Sequence, residues 1–573
     1  MAELNKQTSV VTQLRQLGLS ELACQFAQFV ERQDKTGDGL IVLSAALLSD
    51  AVSQGAVALN LSQVEAFGSE LDAFLPETVA DWIARLRQSH LVGEPDEMAP
   101  MILTASRQLY LYRYWHDEQQ VKQLIQQRLK PVAIADEVAL QQGFADWHSG
   151  SEEIDWQKVA VMMALSRQLS VISGGPGTGK TTIVLRLLHL LLKQNNQMRI
   201  ALAAPTGKAA ARLQQAISAH KAFPVEAKTL HRLLGITADN DKGSYHAGRP
   251  LAVDVLIIDE ASMIDISLMA TVMKALPLGA RLILLGDSDQ LSSIESGAVL
   301  ADLCREGAGF SDTFCQQVLA VTGMRLSPTL DSKQVMTDTV VMLQHSYRFD
   351  ENSTIGQLSK AVKQGDDEGL IQTLLEHSEP IWTQQLDLAT ICDVVMPMYG
   401  NFFMAIKTRQ SAEICLTLFE QSRVLCALKQ GPQSVDSVNV WVERSLARQG
   451  WRTQHDFYHG RPIMVTRNDY RHGLFNGDTG LILYDEQGQL SAYFLTEEGI
   501  RRLPLNRLPA HETSFAMTVH KSQGSEFDNV CVVLPEQPSP ILGKALLYTA
   551  ITRAKKQVSL IAPEQCLRQA LFS

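Results

Sequence analysis

The run Gly174-Gly175-Pro176-Gly177-Thr178-Gly179-Lys180-Thr181 has the composition and order to hold a phosphate chain. Glycines let successive backbone N–H groups curl around phosphate oxygens, and the start of a helix adds its positive end. An apolar run at 169–173 precedes the glycines, and Thr181-Thr182-Ile-Val-Leu-Arg-Leu-Leu follows them. This is the strand–loop–helix setting that such a loop requires, with Lys180 reaching the β/γ-phosphates of ATP and the Thr181 hydroxyl serving Mg²⁺.

Hydrolysis needs further groups, and the chain supplies candidates. Asp254-Val-Leu-Ile-Ile-Asp259-Glu260 ends an apolar run with two carboxylates. Asp259 suits the shell of Mg²⁺, and Glu260 suits the attacking water. Gly286-Asp287-Ser-Asp289-Gln290 closes the next apolar run, where an amide can sense the γ-phosphate. Two arginines lie beside aromatics, in Ser346-Tyr347-Arg348-Phe349 and in Tyr548-Thr-Ala-Ile-Thr-Arg553. Either can stabilise transition-state charge if it arrives from another lobe.

The elements that must position these residues show in the pattern of the chain. Its 573 residues exceed one ordinary core, so three or four domains are expected. Helical periodicity marks the first ninety residues, through Val10, Leu14, Leu17, Leu22, Phe26 and Phe29, then 40–48 and 79–86. Two apolar runs around Ser106-Arg107-Gln108 predict a short hairpin. A polar connection over 119–150 leads to the first α/β unit, 151–345, with apolar runs at 169–173, 199–204, 254–258 and 281–285. Such short runs, separated by helical stretches, predict parallel strands buried on both faces. A second unit, 346–573, repeats the pattern at 423–428, 529–534 and 557–561. Inside it, about 455–510 has turn-punctuated strands that predict a small β insert.

Charge and cysteine usage narrow the class. The net charge is −11, but residues 1–118 hold 8 Lys/Arg against 16 Asp/Glu, while the rest holds 43 against 46. A nucleic-acid track is therefore expected in the later part, as a local basic groove, and the acidic 1–118 is a poor candidate for touching it. The 8 cysteines are scattered without metal-ligand spacing and read as buried apolar residues of a reducing compartment. No apolar stretch is long enough to span a bilayer, and residues 1–7 are polar, so the expected location is the cytoplasm.

Taken in order, the motifs resemble those of superfamily 1 DNA helicases. They are the phosphate loop, Ala204-Pro205-Thr206-Gly207-Lys208-Ala-Ala-Ala-Arg, Thr229-Leu-His231-Arg232, Asp259-Glu260-Ala-Ser, Gly286-Asp-Ser-Asp-Gln290 and Tyr347-Arg348-Phe. Two more follow, Thr518-Val-His520-Lys521-Ser-Gln-Gly524-Ser-Glu526 and Tyr548-Thr-Ala-Ile-Thr-Arg553. Pro100-Met-Ile-Leu and Leu109-Tyr-Leu-Tyr-Arg extend the likeness to the RecD family, the α subunits of RecBCD-type enzymes (exodeoxyribonuclease V). The resemblance implies an α/β fold of two RecA-like P-loop NTPase lobes, parallel sheets flanked by helices. To these it adds a mainly helical, partner-docking N-terminal domain (1–118) and a β-barrel insert in the second lobe. It implies that Gln157 reads the adenine edge and that Gly524 and Glu526 face the nucleotide. It assigns single-stranded DNA to Pro205, Thr206, Gly207, Lys208, His231, Arg232, Thr518, His520 and Lys521.

The implied activity is ATP-dependent 5′→3′ translocation and unwinding, as a DNA-repair subunit in a heterotrimer with RecB-like and RecC-like partners. The nuclease site is expected on a partner. Two other readings fit the same residues: a free-standing 5′→3′ helicase of the same superfamily, and a regulatory module with an inactive ATPase fold.

Overall fold

The computed structural model describes residues 14–572 apart from 16–18, 63–75, 77, 135, 148–153, 221–222, 238–239, 241–242, 293–295, 306–308, 330–335, 349, 351, 377–381, 470 and 497–498. Val10, Leu17 and Phe349 lie outside the described residues.

The N-terminal part packs helices Glu21–Gln33, Gly39–Ser53 and Val79–Leu86 against a small sheet. Its strands are β1 (Ala58–Asn60), β2 (Val92–Gly93), β3 (Met101–Leu103) and β4 (Gln108–Leu111), in the order β1-β4-β3-β2. The hairpin expected around Ser106 is β3–β4, and its turn holds Arg107 at φ 63°. The helices do not close this core by themselves, because the sheet supplies Leu59, Met101, Leu103 and Leu109 to it.

The stretch expected as a polar connection is instead part of the next body. Helix Tyr112–Arg128 lies along helix Ile266–Ala275 and buries Val121 and Ile125. Helix Glu137–Ala145 buries Leu140 and Phe144 against Lys180–Gln194 and Asp312–Thr322. Arg128 is fully buried and donates to the carbonyl of Leu276 at 2.8 Å. The apolar positions here recur on one helix face among many polar ones, so mean polarity suggested a solvated connection.

The first lobe contains β5 (Leu169–Gly174), β6 (Ile200–Ala204), β7 (Ala227–Thr229), β8 (Val255–Ile258), β9 (Arg281–Gly286) and β10 (Val340–Leu343). They form one parallel sheet in the order β10-β5-β9-β8-β6-β7. β5, β8 and β9 are buried at every position, which is why they read as continuous apolar runs. The edge strands β7 and β10 are short, and the sequence reading passed over them.

In the second lobe the strands are β11 (Trp382–Thr383), β12 (Ser422–Cys426), an insert of β13 (Arg461–Val465), β14 (Thr479–Tyr484), β15 (Leu490–Thr496), β16 (Gly499–Pro504) and β17 (His511–Thr513), then β18 (Ala516–Thr518), β19 (Phe527–Val533) and β20 (Ala554–Ile561). The lobe's own sheet is parallel, β11-β20-β19-β12-β18. The insert is an antiparallel sheet, β16-β15-β14-β13-β17, and among the described residues β16 and β17 pair with no strand that would close a barrel. Two parallel α/β lobes thus face one another, and the loops at the carboxyl ends of β5, β8 and β9 meet the second lobe.

Candidate nucleotide site between the lobes

The phosphate loop forms because two of its residues take backbone angles that side chains disfavour. Gly177 has φ 79° and Gly179 has φ 84°, the latter directly before helix Lys180–Gln194. The loop is crowded as well as twisted. A Cβ on Gly177 would lie 2.2 Å from Cβ of Arg348, and one on Gly179 would lie 2.2 Å from Nε2 of Gln157. Lys180 Nζ donates to the carbonyls of Gly174 (2.6 Å) and Gly175 (3.1 Å), so the ammonium sits within the loop.

A cavity of about 970 Å³ opens over this loop. It is lined by Gln157, by Pro176, Gly177, Thr178, Gly179, Lys180, Thr181 and Thr182, and by Asp259, Glu260, Gln290, Arg348, Gly524, Glu526 and Arg553. Every residue expected on the nucleotide side is there except Gly174 and Gly175, which lie behind the loop and face the Lys180 ammonium. Gln157 Nε2 donates to the carbonyl of Thr178 at 2.9 Å, so its amide braces the loop as well as lining the cavity.

Asp259 follows β8, and Glu260 follows it at φ 54°, a left-handed angle that costs a side chain energy. Burial, then the neighbouring Glu260, pushes the Asp259 carboxyl up to about 6, while Lys180 opposes the rise. Asp259 and the Thr181 hydroxyl both line this cavity, and a carboxylate with a hydroxyl are oxygen donors that suit Mg²⁺ carried with a nucleotide.

The far wall belongs to the second lobe. Arg553 Nη2 donates to Oε1 of Gln290 at 2.5 Å, and Gln290 Nε2 donates to Oδ2 of Asp287 at 2.9 Å. The same loop is held by Thr549 Oγ1, which accepts from the Leu291 N–H at 2.9 Å, and by Gln523 Nε2, which donates to the Leu291 carbonyl at 2.6 Å. Lys363 pairs with Asp289 at 2.7 Å. Arg348 Nη2 donates to Oε1 of Glu526 at 2.6 Å. Burial alone would raise the Glu526 carboxyl, but the guanidiniums of Arg212 and Arg348 outweigh it and hold it at about 2.

Three of these residues escaped the sequence reading. Arg212 closes the motif that begins at Ala204, one helical turn after Lys208, but no role was assigned to it. Trp147 and Arg186 stack in the cavity wall, with the guanidinium carbon 3.6 Å from a ring centroid, and their spacing in the chain gave no hint of it.

The residues expected to meet DNA lie at the carboxyl ends of β6, β7 and β18. Thr206 caps helix Gly207–Ser218 by accepting from the Ala209 N–H. Gly207 is covered by Phe475 of the insert, whose Cγ would be 2.6 Å from a Cβ there. Burial pulls the proton affinity of Lys208 down, and the charges of Glu420, Arg423 and Asp478 at the root of the insert act on it. Pro205 is half-buried, while His231 and Arg232 are exposed, Arg232 within 3.8 Å of Glu226. Thr518 Oγ1 accepts from the Lys521 N–H at 3.4 Å. Lys521 Nζ donates to Glu512, and burial lowers the proton affinity of His520.

Known proteins match along the same divisions. Residues 157–296 match the model of an AAA domain, 513–561 that of the UvrD-like helicase C-terminal domain, and 15–110 that of the RecBCD enzyme subunit RecD, N-terminal domain. The chain is 36% identical to RecBCD enzyme subunit RecD of Haemophilus influenzae, over 87% of this chain and 83% of that one. It is 37% identical to RecBCD enzyme subunit RecD of Mycolicibacterium smegmatis, over 93% and 91%. The ATP-dependent RecD2 DNA helicase of Deinococcus radiodurans is 29% identical, over 68% of this chain and 46% of that one. With whole-chain likeness of this degree and an ATPase site closed by two lobes, the chain belongs to the RecBCD enzyme subunit RecD family of superfamily 1 helicases.

Proposed function

We propose that the chain is an ATP-hydrolysing motor that moves 5′→3′ along single-stranded DNA and separates strands, as one subunit of a RecBCD-type helicase/nuclease that processes double-strand ends. The observation that carries this reading is the seam at Gln290 and Arg553. It ties the loop beside Lys180 and Asp259 to the second lobe, so a change at the γ-phosphate moves one lobe against the other.

The groups divide the work as follows. Backbone amides of 175–181 and Lys180 bind and orient the phosphates. Asp259 and the Thr181 hydroxyl hold Mg²⁺, which when bound neutralises charge on the β/γ oxygens. Glu260 aligns the water and takes its proton. Arg348 and Arg553 neutralise the charge that develops on the transferred phosphoryl group. Gly524 and Glu526 contact the nucleotide from the second lobe, and Gln157 holds its base.

DNA lies across the carboxyl ends of β6, β7 and β18, gripped through phosphates, so no sequence is read. Residues 205–208, 231–232, 518 and 520–521 supply that grip, and the exchange of hold between lobes makes a step. RecB-like and RecC-like subunits complete a cytoplasmic heterotrimer. The acidic N-terminal domain docks them, and a partner carries the nuclease site. The match of residues 15–110 to the RecD N-terminal domain favours the subunit over a free-standing helicase.

The test is Lys180→Gln in the full-length chain. DNA-stimulated ATPase and strand displacement should both vanish while thermal unfolding is unchanged. Retained ATPase overturns the site. Displacement from 3′-tailed but not 5′-tailed duplexes overturns the polarity.

A further inference from the structure

We infer that Arg212 is a positioning residue for hydrolysis: it holds the Glu526 carboxylate so that the Arg348 guanidinium can leave it for the phosphates. This rests on the nucleotide-hydrolysing reading above.

Glu526 Oε1 accepts two guanidiniums, Arg348 Nη2 at 2.6 Å and Arg212 Nη2 at 3.0 Å. Arg212 Nη1 also donates to the carbonyl of Gly524 at 2.6 Å, so a first-lobe side chain grips the second lobe at two points. Lys555 stands farther off, 3.6 Å from the other Glu526 oxygen. The Glu526 side chain is only 14% exposed, and it remains a carboxylate because the two arginines outweigh its burial.

The stem of Arg348 already lies on the phosphate loop, against Gly177. Only its guanidinium is drawn aside to Glu526. Swinging that group toward the phosphates would strand a buried carboxylate, which is costly unless another cation stays in place. Arg212 is that cation. It also divides the carboxylate's charge with Arg348, which weakens the hold that must be broken. Without Arg212, Glu526 retains Arg348, and the step that needs Arg348 on the phosphates slows. Nucleotide binding itself should change little, since the loop of 175–181 and Lys180 still hold the phosphates.

The experiment is a double-mutant cycle on DNA-stimulated ATPase of the full-length chain. Arg212→Ala should lower kcat roughly tenfold with KM changed less than about twofold, the scale of a close charge pair. In a Glu526→Gln background, where the Glu526 carboxylate no longer detains Arg348, the same substitution should cost less than about twofold. An equal loss in both backgrounds, or no loss in either, overturns the proposal.

If Glu526→Gln is too slow to compare, Arg212→Lys decides. A lysine keeps a cation beside Glu526 and should recover most of the kcat that Arg212→Ala loses. No recovery of kcat with Arg212→Lys overturns the proposal. Absence of DNA-stimulated ATPase in the unaltered chain would instead sink the underlying reading, and so the two failures are distinct.

Discussion

Arg553 of the second lobe reaches Gln290 of the first at 2.5 Å, and both side chains are buried. A buried guanidinium persists only with partners, and Arg553 has three: Gln290, the Ser525 carbonyl at 3.2 Å and the Thr549 carbonyl at 3.3 Å. The contact therefore fixes the distance between the lobes while leaving a bond that can be exchanged for a phosphate oxygen.

Removing that contact should act on rate. Arg553→Ala should lower kcat of DNA-stimulated ATPase by about 10³-fold or more, as loss of a transition-state arginine does. Gln290→Ala combined with it should add little, since both substitutions break one network. Steady-state kinetics of the two single variants and the double variant check this.

Asp259 gives a prediction about pH. Its folded-state carboxyl is raised to about 6, above its usual value, so the fold favours the protonated form. The stability this lends is present at low pH and lost as pH rises through about 6. Asp259→Asn should therefore raise thermal stability at pH 8, by roughly 1–3 kcal/mol, and by much less at about pH 3, below the unfolded value. In the unaltered chain, Mg²⁺-dependent nucleotide affinity should weaken as pH falls below about 6. Calorimetric melting and nucleotide titrations at several pH values measure both effects.

Gly177 offers a test of crowding at the loop. With φ 79° and a Cβ position 2.2 Å from Arg348, alanine cannot enter without moving the loop or the arginine. Gly177→Ala should abolish turnover and cost roughly 1–3 kcal/mol of stability. Near-native ATPase in this variant would contradict the described loop.

On the DNA side, Glu512 accepts both Lys521 (2.8 Å) and Lys429 (2.7 Å). Glu512→Gln should release their charge and tighten single-stranded DNA binding a few-fold. Lys521→Ala should weaken binding about equally for all sequences and reduce the salt slope by about one. Fluorescence anisotropy across a salt series separates the two outcomes.

The helix Tyr112–Arg128 should behave as part of the first lobe. Arg128→Ala leaves the Leu276 carbonyl without its buried donor and should cost about 2–4 kcal/mol. Limited proteolysis should spare residues 112–134 in the unaltered chain and cut there in the variant.

The phosphate loop, the Asp259-Glu260 pair, the two arginines and the central strands of both lobes were legible in the sequence. Each is a local pattern: glycines at fixed offsets, carboxylates at a strand end, or apolar runs that only a doubly covered sheet produces. Edge strands β7, β11 and β18 carry only two or three residues, too few to leave such a pattern. The helices of 112–145 bury one narrow face, which an average over the segment conceals. Only the tertiary structure decided which charges meet. Lys208 is close enough to the charges of Glu420, Arg423 and Asp478 to feel them, while Arg212, one turn on, crosses to Glu526. The reason is physical. A helix fixes which residues share a face, but the chain 312 positions away decides what that face meets.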